Sequence, residues 1–312
     1  YGALLDQNRA TASLVGLYDI LDLQNAATIQ GTLEALAPRT ETLRQSLGVV
    51  ALDNSSRVVR ERLHSLTPGN LGGQVAFLGR RVETAALNLA GLSSGMATMS
   101  DVSTQEAGSV TQLPERMSAF VAVGYIDGSG APMVSARPNT GRDNYDGLYG
   151  TVGLESEVGN HGVLGASIGF TNLDGRTDAR DASADANLYQ ATVYGKVMFD
   201  GNGYVDGQLT AGILETSHER AGNLPGQPYT LRGSDSALAF GGEIAVGALF
   251  GDKIKYGPRA AMRFTQINFG DLIESGGPTA LSIDRDEYRS IQARAGIVFD
   301  GTAGGGTGEL DY

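Results

Sequence analysis

Ile254-Lys255-Tyr256-Gly257-Pro258-Arg259-Ala260-Ala261-Met262-Arg263-Phe264-Thr265 is the stretch whose reading decides the fold. Ile254, Tyr256, Pro258, Ala260, Met262 and Phe264 are apolar and alternate with Lys255, Arg259, Arg263 and Thr265. A period of two marks a strand whose two faces meet different surroundings. A second run sets Ile291, Ala293, Ala295, Ile297 and Phe299 against Ser290, Gln292 and Arg294. A soluble sandwich alternates in the same way, so the question is which medium each face meets.

Outward from this pair, the same pattern predicts strands over 117–126, 145–158, 162–171, 187–199, 204–214 and 236–250. In the second of these, Leu148, Val152 and Leu154 share one face, and Tyr149, Thr151, Glu155 and Glu157 the other. Residues 159–161, 200–203 and 251–253 are short connections. Residues 127–144, 172–186, 215–235 and 268–287 are long ones, and the two kinds alternate along the chain. Long adjacent strands with short turns at one end and long polar loops at the other match an antiparallel up-and-down transmembrane β-barrel. Nearly every segment reaches the ~9–11 residues that a tilted membrane strand needs. The apolar face then meets lipid, and Glu155, Lys196, Glu243, Arg259, Arg263 and Arg294 face a wet lumen. Tyr125, Tyr145, Tyr189, Phe199, Tyr204, Phe250, Tyr256, Phe264, Tyr288 and Phe299 fall near strand ends, where an aromatic girdle belongs.

The first hundred residues follow another plan. Of the 21 aromatic residues, 18 lie after residue 116, so the two parts pack by different rules. Leu14, Leu17, Tyr18 and Leu21 form one stripe at helical spacing, and Ile29, Leu33 and Leu36 another that ends at Pro38. A third helix is expected over 40–66, stopped by Thr67-Pro68-Gly69. A fourth is expected over 73–92 from Val75, Leu78, Val82, Ala86 and Leu89. Residues 93–114 are small and polar and read as a linker.

Composition narrows the function. A chain of 312 residues with net charge −12 lacks the basic patch of a nucleic-acid binder. The absence of Cys removes disulfide frameworks and Cys-based metal sites. No apolar run approaches the ~18–20 residues of a membrane helix. Tyr1 is neither an initiator Met nor the start of a signal peptide, so the chain reads as part of something longer.

Two features carry a family resemblance. One is the helical block Leu52-Asp53-Asn54-Ser55-Ser56-Arg57-Val58-Val59-Arg60-Glu61-Arg62-Leu63. The other is the ordered Gly-rich strand series through Gly147-Leu148-Tyr149-Gly150, 162–170, 189–194, 204–212, Glu243-Ile244-Ala245-Val246-Gly247 and Tyr256-Gly257-Pro258-Arg259-Ala260. Over about residues 40–299 the chain resembles the C-terminal translocator region of bacterial autotransporters (type V secretion). The resemblance implies a twelve-stranded outer-membrane barrel with a helix threaded through its lumen, which carries an N-terminal passenger to the cell surface. Outer-membrane lipid, the outer-membrane assembly machinery and the passenger would be its partners. The chain departs from the family in holding eight complete strands, a turn over 300–307 and the start of a ninth strand at 308–312. The expected organisation is therefore the end of a passenger or a helical linker over 1–39, a helical linker and plug region over 40–116, and an incomplete barrel over 117–312. The alternative is a small outer-membrane barrel acting as adhesin, pore or structural protein. Its eight strands would close on their own side chains and leave no room for a helix.

No catalytic, cofactor or metal constellation is expected. The nucleophile elbow Gly-x-Ser-x-Gly is absent, and Gly304-Gly305-Gly306 lacks the Lys-Ser/Thr of a phosphate loop. His64, His161 and His218 are scattered, and His218 with Ser217, Asp235 and Ser236 reads as a solvated loop. The candidates are charges of the lumen. If the 40–66 helix plugs the barrel, Arg57, Arg60 and Arg62 pair with inward carboxylates such as Glu155, Glu157, Asp206 or Glu243. Otherwise they form a solvated helix face, and the 73–92 helix with Arg80, Arg81 and Glu83 is the competing plug. Some relatives cleave the lumen helix at an Asn. Asn54, followed by Ser55, suits that position, although an Asn near a helix start is more often a cap.

Overall fold

The computed structural model describes residues 39–69, 71, 73, 75–85, 97–106, 113–130, 143–177, 182–199, 202–224, 227–251 and 254–301, together with residues 19, 23–25 and 29. Helix α1 (Arg39–Ser65) comes first. Ten strands then build one sheet: β1 (Val75–Ala85), β2 (Ala97–Glu106), β3 (Met117–Gly130), β4 (Asp143–Val158), β5 (Gly162–Arg176), β6 (Ala182–Met198), β7 (Gly203–Leu224), β8 (Gln227–Ala248), β9 (Ile254–Asn268) and β12 (Tyr288–Gly301). The small hairpin of β10 (Leu272–Ile273) and β11 (Ser282–Ile283) sits between β9 and β12. From β3 to β12 each large strand pairs antiparallel with the next. Among the described residues, β12 and β2 end the sheet.

The expected alternation appears as inverted burial. Leu148, Val152, Leu154, Leu164, Ile168, Val193, Leu209, Ile213, Ile244, Met262, Ile291 and Ile297 are exposed on the outer face. Thr151, Glu155, Thr192, Lys196, Asp206, Gln208, Glu243 and Arg263 are buried on the inner one. An apolar surface this wide is far beyond what a water-facing protein carries, and it suits lipid. The band has an edge. Asp127, Asp146, Asp174 and Asp185 stand in register across β3 to β6, two to four positions beyond Tyr125, Phe170 and Tyr189. Tyr125 donates to Asp146 at 3.0 Å, as an amphipathic ring at a membrane boundary can.

The short turns hold their geometry through left-handed residues: Gly159 at φ 66°, Asn202 at 75° and Gly251 at 116°. At the other end, β7 and β8 have 22 residues each and stay paired up to Leu224 and Gln227. At about 3.3 Å per residue and ~45° tilt such a hairpin rises ~50 Å. That is well past the ~30 Å hydrocarbon core.

Several expectations are corrected. Residues 75–85 form strand β1, parallel to β3, where a helix was expected. The free edge of β3 supplies backbone partners that local helical spacing does not register. The linker over 93–114 contains strand β2. The supposed loops over 172–186 and 215–235 are mostly strand, because paired backbone runs on past the lipid band, where the outer face turns polar and the apolar alternation stops. Tyr145 and Tyr204 point inward and are buried, so they leave the girdle, and Tyr288 packs partly against the core. β12 runs to Gly301, into the expected 300–307 turn. Apart from Ile29, which is helical, the expected helical stripes before Pro38 and the ninth strand at 308–312 lie outside the described residues.

Candidate functional site

The site is the space inside the curve of the sheet, and α1 occupies it. The helix touches β4, β5, β6, β7 and β8. Gly48 allows this approach: a Cβ there would lie 2.6 Å from Leu214 of β7.

The C-terminal half of α1 buries Val58, Val59 and Leu63 and is fixed in register by charge. Arg62 donates from Nε to Glu155 Oε1 at 2.9 Å and from an Nη to Oε2 at 3.1 Å. Ser118 and Tyr194 donate to the same carboxylate at 2.6 and 2.9 Å. Tyr194 reaches Glu155 across β5 because the residue between them in the register is Gly165, where a Cβ would lie 2.4 Å from the ring. A buried ion pair needs such extra bonds to offset its desolvation. Arg60 pairs with Glu243 at 2.8 Å, and Asp53 with Arg263. Gln208 donates to the carbonyl of Ser56 at 2.9 Å. Lys196 ends the helix by donating to the carbonyls of Leu63, His64 and Leu66 at 3.2, 3.4 and 3.0 Å. The last turn of a helix leaves carbonyls without partners and carries partial negative charge, which an ammonium group answers on both counts.

The N-terminal half is held differently. Leu43, Leu47, Val50 and Leu52 belong to one buried cluster with Leu173, Leu188, Leu214, Ala239 and Ile267 of the sheet. The lumen is therefore not polar throughout, as the alternation alone suggests. It carries an inward apolar belt toward the long-loop end. Above that belt, fully buried Arg44 donates to Thr216 Oγ1 at 3.2 Å and meets Glu41 at 3.4 Å.

Not every candidate charge lies on the helix contact. Asp206 pairs with Arg259 at 3.2 Å within the wall, and Arg259 also reaches Glu243 at 3.0 Å. Glu157 accepts from Arg116 at 3.3 Å and from the Leu71 amide. Arg57 bonds Asn54 of its own helix at 2.9 Å. Arg294 bonds Gln292 of its own strand at 2.9 Å. Asn54 lies well inside α1, so it does not cap the helix. The alternative plug at 73–92 lies in the sheet as β1 over its described part.

The residues that sequence reasoning missed come from the chain between β9 and β12. His218 is buried and meets Glu274 at 2.9 Å, not a serine, while Ser217 donates to Asp185 at 3.1 Å. Arg220 holds the same Glu274 at 2.8 and 2.6 Å. Burial pushes the Glu274 carboxyl upward. The hydrogen bonds from Arg220, His218 and the Leu281 amide outweigh it and lower its pKa to about 2. Arg285, also buried, donates to Glu41 at 3.2 Å, to the Gly270 carbonyl at 2.6 Å and to Asp235. No spacing in the sequence links residues so far apart.

Comparison with known proteins gives the same picture. A family model described as autotransporter beta-domain matches residues 123–311. The structure is similar to the translocator domain of the autotransporter NalP from Neisseria meningitidis, with a TM-score of 0.50 and 15% identity over 61% of this chain and 64% of that one. This chain therefore spans a little under two thirds of that domain. No curated protein sequence matches it.

Proposed function

The chain belongs to the autotransporter beta-domain family of outer-membrane barrels, and on that premise we propose that α1 is the lumen plug of a translocator and that the chain before Arg39 leads to a passenger at the cell surface. One observation carries this reading, the direction of the helix. Its C-terminal end lies on Glu155 and Lys196, near the short turns. Its N-terminal end lies beside Thr216, Asp235 and Arg285, at the end with the longest strands and loops. Long loops mark the outer side of such barrels and short turns the periplasmic side. Chain upstream of Arg39 thus leaves on the outside, while Thr67-Pro68 returns the backbone to the side where β3 begins.

A division at about residue 40 follows from the same reading, with the passenger end before it and the plug helix after it. β1 and β2 lie in the sheet, so the helical plug region expected up to 116 narrows to the helix itself. The mechanism involves no bond chemistry by the barrel. Inward charges hold the helix once it is in place, and the apolar belt closes around its upper half. A barrel of eight strands filled by its own side chains, acting as adhesin, pore or structural protein, has no room for this helix.

An epitope inserted before Arg39 tests the direction. Antibody binding to intact cells is the expected result. Binding only after the outer membrane is permeabilised would overturn the reading.

A further inference from the structure

Residues 269–287 do not project outward as a free loop. They turn back over the long-loop end of the lumen and attach at three places. Ser275 exchanges two backbone hydrogen bonds with Arg232 of β8, at 2.9 and 2.8 Å. Buried Glu274 joins Arg220 and His218 of β7, and Thr279 meets the Tyr229 hydroxyl at 2.6 Å. The third attachment goes to the helix. Arg285 bonds Glu41 in the first turn of α1 and, beside it, Asp235 of β8. Its guanidinium also sits 5.2 Å from the centre of the Phe269 ring. One planar cation thus ties the start of the connection, the wall and the helix together, as guanidinium geometry permits and an ammonium does not.

We propose that this segment is a strap that keeps the N-terminal end of the plug seated, and that Arg285 is its positioning residue. The proposal rests on the reading of α1 as plug and adds a second, separable restraint to it. The wall contacts of Arg62, Arg60 and Asp53 come from strands locked in the sheet. The strap contributes a two-residue pair of short strands, the single Ser275–Arg232 backbone bridge and buried side-chain bonds, so it opens without breaking any ladder between the barrel strands. Segments with few backbone bonds are the first to open locally. Loosening the strap frees the helix start on the outer side while the charged half below stays in place.

The test uses full-length protein on intact cells and a membrane-impermeant maleimide added from outside. These 312 residues contain no Cys, so introduced reporters stand alone among them. One reporter is Thr42→Cys, beside Glu41, and another is Glu61→Cys in the charged half. Asp284→Cys, exposed on the strap, sets the rate of open labelling. The parent is expected to label slowly at position 42. Arg285→Ala is expected to raise that rate about tenfold, the scale of losing one charge-assisted hydrogen bond, and to leave position 61 unchanged. Glu274→Gln, which unhooks the strap without touching the helix, is expected to act in the same direction. If position 42 stays slow in both variants, or if both reporters accelerate together, the strap proposal is overturned. If position 42 in the parent already labels as fast as position 284, the plug reading falls instead.

Discussion

The two halves of α1 share one buried apolar cluster but differ in how their charges are placed. Below Leu52, Asp53, Arg60 and Arg62 are matched one by one to Arg263, Glu243 and Glu155, and Lys196 closes the end. Above it, Leu43, Leu47 and Val50 sit in an apolar belt, and the ionic contacts gather at Glu41, where the strap arrives. Apolar packing is strong but indifferent to rotation and sliding, whereas paired charges fix register. The lower half therefore sets where the helix stops, and the upper half sets how tightly the lumen is closed.

The largest expected effect breaks the lower half. Glu155→Ala leaves Arg62 buried without its carboxylate, which costs roughly 3–5 kcal/mol. Denaturant unfolding of the refolded protein should show that loss, and Glu155→Ala with Arg62→Met should regain part of it. Leu214→Ala probes the upper half by cutting a fully buried contact under Gly48. A cost of about 3 kcal/mol is expected by the same measurement, with the helix start loosened and the Arg62 end unchanged in hydrogen exchange.

Acid separates the strap from the wall. Glu274 has its pKa lowered to about 2 in the folded protein, against roughly 4.3 in an unfolded chain. A depressed carboxylate contributes stability above its unfolded pKa and loses it as pH falls toward the folded one. Pepsin cleavage within residues 269–287 should thus accelerate as pH falls from about 4.3 to 2. Glu274→Gln should be cut at the higher rate across that whole range. The smallest effect belongs to Tyr229→Phe, which removes one hydrogen bond to Thr279. About 1 kcal/mol is expected, read as slightly faster cleavage of the same segment.

The sequence carried some of this and withheld the rest for physical reasons. Alternation over 254–265 assigned inner and outer faces correctly, because lipid and lumen select residues at each position. Of the three helix charges singled out in the sequence, Arg60 and Arg62 meet wall carboxylates and Arg57 bonds Asn54 of its own helix, whereas Asp53, which meets Arg263, was not singled out. Tyr145 and Tyr204 were misplaced although a signal existed: they share parity with inward Tyr149 and Asp206, and nearness to a strand end is weaker than parity. Val75, Leu78 and Val82 fit a helix by spacing, and only the waiting edge of β3 makes them a strand. The apolar belt escaped notice because Leu173 fell in a segment read as loop, and Leu188 and Leu214 stand near the ends of their expected strands on the face read as polar. The strap escaped because Glu41 and Arg285 stand 244 residues apart.

The central claim is that α1 fills the lumen, and ion conductance across a planar bilayer tests it most directly. Full-length protein is compared with the same protein lacking residues 39–65. The account predicts small, rare currents from the intact protein and a large steady conductance once the helix is removed. Equal conductance from both would contradict it, because the helix would then lie outside the barrel.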